Sequence, residues 1–301
     1  MSRRTAFQLS VVVASAWSVR DLESFLDALT GPSWARKFEI IVADCCDDDA
    51  LENIIAKHPD VIFIRYSEKT PLPLLWGAGI ARATGEIIAV TDATCRAGPD
   101  WIPAMLKAHE APHALIGGAV EAAECRSGLD WAAYFCEYGQ FMRPLQKGAA
   151  NELPGNNLSF KRWTLDLGAE FVRDGFWKTY WLRSLRDAGV ELVAEPAVVV
   201  YYRRSYRLFP FLIRRFHHGR CFAGMRVAQA SLFARAGYAA GSWLLPFIFF
   251  ARVLRMILSK RRLLGEFALA LPFTILAIVS WSLGEFCGYL AGAGKSCARI
   301  Y

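Results

Sequence analysis

The chain has 301 residues, 54% of them hydrophobic and 13% aromatic, with 35 Lys and Arg against 28 Asp and Glu for a net charge of +7. That length is ample for a buried core without help from disulfides or a structural metal, and the composition excludes intrinsic disorder. The charge is unevenly placed: residues 1–195 carry 20 basic and 26 acidic side chains, whereas residues 196–265 carry thirteen Lys or Arg and no acid.

The first part of the chain alternates strand-like and helix-like segments. An apolar run at Leu9–Ala14 precedes Arg20–Leu29, where Leu22, Phe25, Leu26 and Leu29 recur at helical spacing. A strand is predicted at Phe38–Ala43, a helix near Ala50–Lys57, a strand at Val61–Tyr66, a helix over Leu75–Ala83 closed by Gly85, and a strand at Glu86–Val90. Short apolar runs separated by helices predict an α/β fold with a parallel, doubly wound sheet, whose ligands gather at the carboxyl ends of the strands. Two of those strands run into acids, Asp44 and Asp92. This first stretch, 1–113, reads as a nucleotide-binding half.

A second stretch, 114–202, reads as an acceptor half. It holds a strand at Ala114–Val120, an aromatic helix bearing Trp131, Tyr134, Phe135, Tyr138 and Phe141, a turn at Pro154-Gly-Asn-Asn157, a helix near Phe176–Asp187 and a strand at Glu191–Val200. The aromatic sets, Phe176, Trp177, Tyr180 and Trp181 included, are expected in the core. From 203 to the end, arginines alternate with large apolar residues through 226, which fits a helix lying among lipid headgroups. Uncharged runs follow at 236–251 and 267–284. Lys260-Arg261-Arg262 between them argues for an interfacial or re-entrant first segment and one true span, because two spans would place that cluster outside. Arginines among aromatics also suit single-stranded nucleic acid, but the flanking apolar runs favour a membrane surface. His217 and His218 are adjacent, point to different helix faces and are expected at the surface.

The eight cysteines form no CxxC pair and follow no regular spacing, which predicts free thiols in a reducing compartment. Arg3 and Arg4 precede an apolar run too short for a secretory signal, so the N-terminal part is expected in the cytosol.

An acid at a strand end can hydrogen-bond a base or ribose, another can face a metal and phosphates, and a third can act as general base. The order of these acids resembles the family 2 inverting glycosyltransferases of GT-A fold over about residues 8–220. The matching segments are Ser10–Ser15, Glu39–Asp44 with Asp47–Asp49, Ala81-Arg-Ala-Thr-Gly-Glu-Ile-Ile88 leading to Asp92, Gly155–Arg162, and Arg173-Asp174 before Trp181–Gly189. The tail Trp281-Ser-Leu-Gly-Glu285-Phe-Cys-Gly-Tyr-Leu-Ala-Gly292 is similar to that of membrane-bound bacterial members.

The resemblance implies sugar transfer from a nucleotide-diphosphate donor to a lipid-linked or glycan acceptor, with inversion, at the cytosolic face of the inner membrane beside anionic lipid, and no nucleic-acid partner. It implies Asp174 as catalytic base, Ser15, Asp44, Asp92, Thr94 and Arg173 at the donor, and Asn156, Asn157 and Arg215 at acceptor or phosphate. Asp92 would be the ligand of Mg2+ or Mn2+. Thr94 stands where the family's second Asp would be, and its neutral hydroxyl binds a divalent ion less strongly. Arg173 replaces the Glu before the base, and the His after the Pro196 strand is absent, so Arg173 or the 203–220 arginines would supply charge at the diphosphate. A catalytically degenerate relative that binds a nucleotide sugar or a membrane partner is the alternative.

Overall fold

The computed structural model describes residues 7–30, 38–46 and 49–300; Asp47, Asp48, Arg3 and Arg4 of the sequence reading lie outside them. By internal contacts the chain divides into two compact units, residues 1–121 with 141–203, and residues 122–140 with 204–301.

The first unit is built on one nine-stranded sheet. Its parallel part comprises β1 (Leu9–Ser15), β2 (Phe38–Asp44), β3 (Ile62–Arg65) and β4 (Ile87–Asp92), in the order β3-β2-β1-β4. β1, β2 and β4 are buried at every position, which is why they read as unbroken apolar runs. Between them come α1 (Val19–Thr30), α2 (Ala50–Lys57) and α3 (Leu72–Arg82). α1 buries Leu22, Phe25, Leu26 and Leu29, the stripe set by its helical spacing.

The four strands expected to be parallel are so, and the remaining strands add an antiparallel part to the same sheet. β5 (Cys95–Ala97), β6 (Leu115–Ala122), β7 (Gly148–Ala149), β8 (Leu158–Lys161) and β9 (Leu192–Tyr202) extend it in the order β4-β8-β6-β9-β5, with β7 on β9. β8 inserts antiparallel between β4 and β6. α4 (Trp101–His109), α6 (Glu170–Arg173) and α7 (Lys178–Asp187) complete the unit.

At the amino ends of the strands, one buried carboxylate joins the segments that carried the family resemblance. Glu39 Oε1 accepts from Ser10 Oγ at 2.5 Å, Thr84 N at 2.6 Å and Thr84 Oγ1 at 2.8 Å. A Cβ on Gly85 would lie 2.6 Å from Ser10 N, so only glycine lets the turn before β4 seat there.

The second unit is helical: α5 (Gly128–Glu137), α8 (Leu208–Arg226), α9 (Leu232–Gly241), α10 (Leu245–Lys260) and α11 (Leu264–Ala291). α5 opens with a capping box, Ser127 Oγ accepting from Asp130 N while the Asp130 carboxylate accepts from Ser127 N. α8 and α11 lie backbone to backbone: a Cβ on Gly219 would meet the Trp281 carbonyl at 2.2 Å, and one on Gly284 the Phe216 carbonyl at 2.1 Å. Glu285 is buried at 3% exposure, with Trp281 Nε1 on Oε1 at 2.7 Å, and Tyr289 Oη at 2.5 Å and Arg226 Nη1 at 3.1 Å on Oε2.

Two expectations are corrected in this unit. Cys221 and Cys297 form a disulfide, fastening the segment after α11 to α8, while the six other cysteines are free. Both histidines are partly buried rather than superficial: His217 Nδ1 lies 3.1 Å from Ser296 Oγ, and His218 packs edge-on to Phe222 and Trp281.

Candidate active site

Strand register places the acids. Ser15 pairs with Asp44 on one side of β1, and Ala14 pairs with Asp92 on the other. Asp44 and Asp92 therefore stand two strand spacings apart, about 10 Å between backbones, at the carboxyl ends of the parallel strands.

Asp44 is 1% exposed. Its Oδ1 accepts from Cys46 N at 2.9 Å, and its Oδ2 is buried with no hydrogen-bond partner among the described residues. Burial raises its pKa, an effect only partly offset by the neighbouring Ser15 hydroxyl and the Cys46 amide. The Cys46 thiol is pushed up to about 12 by burial and by the Asp44 charge, so it stays protonated at neutral pH.

Asp92 is equally buried, and Oδ1 receives both groups of Thr94, the amide at 2.9 Å and the hydroxyl. The Thr94 carbonyl accepts from Arg203 N at 2.9 Å, and Arg203 pairs with Asp21 at 3.1 Å. No group of three or more His, Cys, Asp or Glu able to hold a metal occurs among the described residues. The donor set still suits a cation brought by a phosphate ligand, because Mg2+ is commonly held by one or two carboxylates and by substrate oxygens.

Asn156 and Asn157 have separate fates. Asn156 is fully buried beside the β4–β5 turn; its Nδ2 donates to Cys95 Sγ at 3.1 Å, and its Oδ1 has no partner among the described residues. Asn157 is consumed by the scaffold: Oδ1 accepts from Trp101 Nε1 at 2.8 Å, and Nδ2 donates to the Ala119 carbonyl at 2.8 Å and the Val198 carbonyl at 3.0 Å. Arg215 belongs to the second unit, where its guanidinium lies over Trp281 at 4.4 Å and 3.8 Å from Glu137.

Asp174 follows α6 and is exposed, with no ion-pair partner among the described residues. Its loop is pinned from both sides. Gly175 has φ +110°, and α3 approaches so closely that a Cβ on Gly77 would sit 2.9 Å from the Gly175 Cα. Phe176 N donates to the Pro73 carbonyl at 2.7 Å, and the Phe176 ring stacks on Phe160 and meets Trp181 at a tilt in the core. Arg173 is also exposed.

Sequence reasoning missed Trp76 and Lys178. Trp76 Nε1 donates to the Thr91 carbonyl at 2.6 Å, and a Cβ on Gly155 would touch its ring at 3.4 Å. Lys178, opening α7, donates to the Leu153 carbonyl at 2.8 Å. Trp76-Gly-Ala-Gly79 was the available signal, since two glycines inside a helix mark close backbone approach.

The sequence profile of the family described as glycosyl transferase family 2 matches residues 12–164. Among solved structures, a mannosyltransferase from Pyrobaculum calidifontis in complex with GDP-Man and Mn2+ superposes with a TM-score of 0.58 and 19% identity, covering 92% of this chain and 86% of that one. GalNAc-T7 with UDP, GalNAc and Mn2+ gives 0.51 and 13%, covering 66% and 44%. S. aureus TarS gives 0.51 and 12%, covering 94% and 90%. No curated protein matches significantly in sequence. At these identities the solved structures establish the fold, which is GT-A.

Proposed function

Because the chain belongs to glycosyl transferase family 2, we propose that it moves a sugar from a nucleotide-diphosphate donor onto a hydroxyl of a lipid-linked or glycan acceptor, with inversion, at the cytosolic face of the inner membrane. The observation that carries this reading is Asp174, an exposed carboxylate with no ion-pair partner among the described residues, on a loop held by the Gly77–Gly175 approach and by Phe176.

Asp174 takes the acceptor proton as that oxygen bonds to the anomeric carbon and the bond to the diphosphate breaks on the opposite face. No nucleophile from the protein is required. Asp44 and Ser15 receive the base or ribose, the buried Oδ2 of Asp44 accepting from the ligand the hydrogen bond that no described residue supplies. Asp92 would hold Mg2+ or Mn2+ together with the donor phosphates, and the cation would neutralise charge on the leaving group. Arg173 or the 203–220 arginines would add positive charge at the diphosphate.

Asp174→Asn is expected to lower transfer by about 10³-fold while leaving nucleotide affinity and unfolding temperature unchanged. Retained turnover would remove Asp174 from the chemistry. The non-catalytic alternative is favoured by Thr94, whose hydroxyl donates to Asp92 in place of a second carboxylate. It requires that the wild-type chain bind a nucleotide sugar and transfer nothing, with or without Mn2+.

A further inference from the structure

Two stretches, Leu232–Lys260 and Leu264–Ala291, are long and apolar enough to cross a bilayer. The surroundings of α11 oppose such a crossing. Its C-terminal half runs parallel to α8: Ser280 Oγ donates to the Leu212 carbonyl at 2.7 Å, Gly284 faces the Phe216 carbonyl, Gly288 the Arg220 carbonyl, and Ala293 meets Gly224. Alongside this half α8 carries Arg214, Arg215, Arg220 and Arg226, bound respectively to Glu137, to the Trp281 face, to the Gly292 carbonyl and to Glu285.

The N-terminal half packs on α5, with Gly128 against Leu269 and Phe273, and Phe135 edge-on to Phe267 at 5.6 Å. α5 carries the buried Asp130, and Glu137, which receives Arg214 at 2.7 Å. Charged partners thus accompany α11 along both halves, and those beside its middle, Arg214 and Arg215 with Glu137, would have to enter hydrocarbon if the helix crossed.

What α11 leaves uncovered is a stripe. Leu269, Leu276, Leu283 and Leu290 are exposed at strict seven-residue spacing along its length. α11 is itself uncharged over 267–284, and the charges lie on its partners α5 and α8; an apolar stripe backed by such a charged scaffold suits a surface seated in a membrane plane. The other stretch adds Leu232, Phe233, Trp243, Leu244 and Phe247, all exposed, with Phe233 at 93%. Arg235, Arg252, Arg255, Lys260, Arg261 and Arg262 punctuate or end it, and no acid occurs among them.

We propose that the second unit is a monotopic anchor: α9, α10 and the Leu269–Leu290 stripe of α11 seat in one leaflet of an anionic bilayer, and no segment crosses. This replaces the single span expected from the sequence, and it stands apart from the assignment of donor and acceptor. The cations complement acidic headgroups while the stripe supplies apolar contact, the two contributions that stable surface anchoring combines.

The test uses the full chain with a C-terminal epitope tag and Ser259→Cys, an exposed position beside the basic turn, in sealed vesicles of both orientations. A membrane-impermeant maleimide reads residue 259 against wild-type background labelling, and protease reads the tag. Both sites are expected to react from the same side, in the orientation that exposes the nucleotide-binding unit. Reaction from opposite sides would establish a crossing and overturn the proposal. In a second arm, detergent-free protein is added to vesicles with and without phosphatidylglycerol. Binding is expected to weaken about tenfold or more on neutral vesicles, since each surface cation contributes to the attraction; equal binding would overturn the anionic partner. Donor turnover in the same preparation reports separately on the enzymatic reading.

Discussion

Each unit contains a buried carboxylate, and the two are provided for in opposite ways. Among the described residues Asp44 in the first unit keeps one oxygen without a donor, whereas Glu285 in the second has donors on both oxygens, one of them charged. An ionised group taken out of water and left half solvated is costly unless a ligand completes it. In the proposed reading Asp44 serves binding at the expense of stability, whereas Glu285 joins helices.

Four substitutions sharpen or break that contrast. The largest effect is expected at the helix contact itself: Gly284→Ala puts a methyl group against the Phe216 carbonyl and should destabilise the second unit by about 3 kcal/mol in denaturant unfolding. Nucleotide binding by the first unit should persist, and an unchanged transition would show that α8 and α11 are not held this closely. Glu285→Gln comes next. It weakens two charge-assisted contacts while Arg226, partly exposed, regains water; a loss of about 2 kcal/mol is expected, and no loss would mean that Glu285 does not fasten the pair.

A buried histidine of the first unit supplies a pH signature. His109 lies 2.9 Å from Ser159 Oγ, and burial lowers its pKa to about 4. The folded value lies below the unfolded one, so the unfolded chain binds the proton first and stability falls as pH drops from about 6.5 toward 4. About 2 kcal/mol should be lost between pH 7 and pH 5, and His109→Gln should flatten that slope in urea titrations at each pH.

The smallest effect has the opposite sign. Burial raises the Asp44 pKa, so the native state is the better proton binder there and its ionised form costs stability once pH rises past the unfolded value. Asp44→Asn should raise the melting temperature slightly at neutral pH, with the gain fading in acid, and should weaken donor binding about tenfold. A variant less stable than wild type would show that Asp44 is a fold carboxylate, like Glu285.

How much of this was legible depended on how far apart the partners lie. β1, β2 and β4 announced themselves because strands buried on both faces are apolar throughout, and Asp44 and Asp92 because an acid ended each run. The spacing of Trp281, Gly284, Glu285, Gly288 and Tyr289 was equally readable, and all five face α8 or one another. β5 is three residues long, and α4 begins after Gly98-Pro-Asp100, so neither rose above turn chemistry. Asn157 read as a turn residue because its three partners lie 38 to 56 positions away. Arg226 and Glu285, 59 apart, were hidden for the same reason. The family resemblance carried Asp174, which no local pattern distinguishes from a helix-end acid.

The placement of α5 has a consequence for how the chain can be made and cut. Residues 122–140 leave the first unit between β6 and β7, lend a helix to the second, and return. During synthesis α5 emerges roughly seventy residues before α8 and about 130 before α11, so Leu129, Ala133 and Phe135 must wait for the partners that cover them. A shortened chain stopped after β9 would keep every strand and every candidate catalytic carboxylate, yet would carry that apolar helix face bare. Such a fragment is predisposed to aggregate, and replacing 122–140 with a short polar linker is the physically consistent way to free the sheet from its helices.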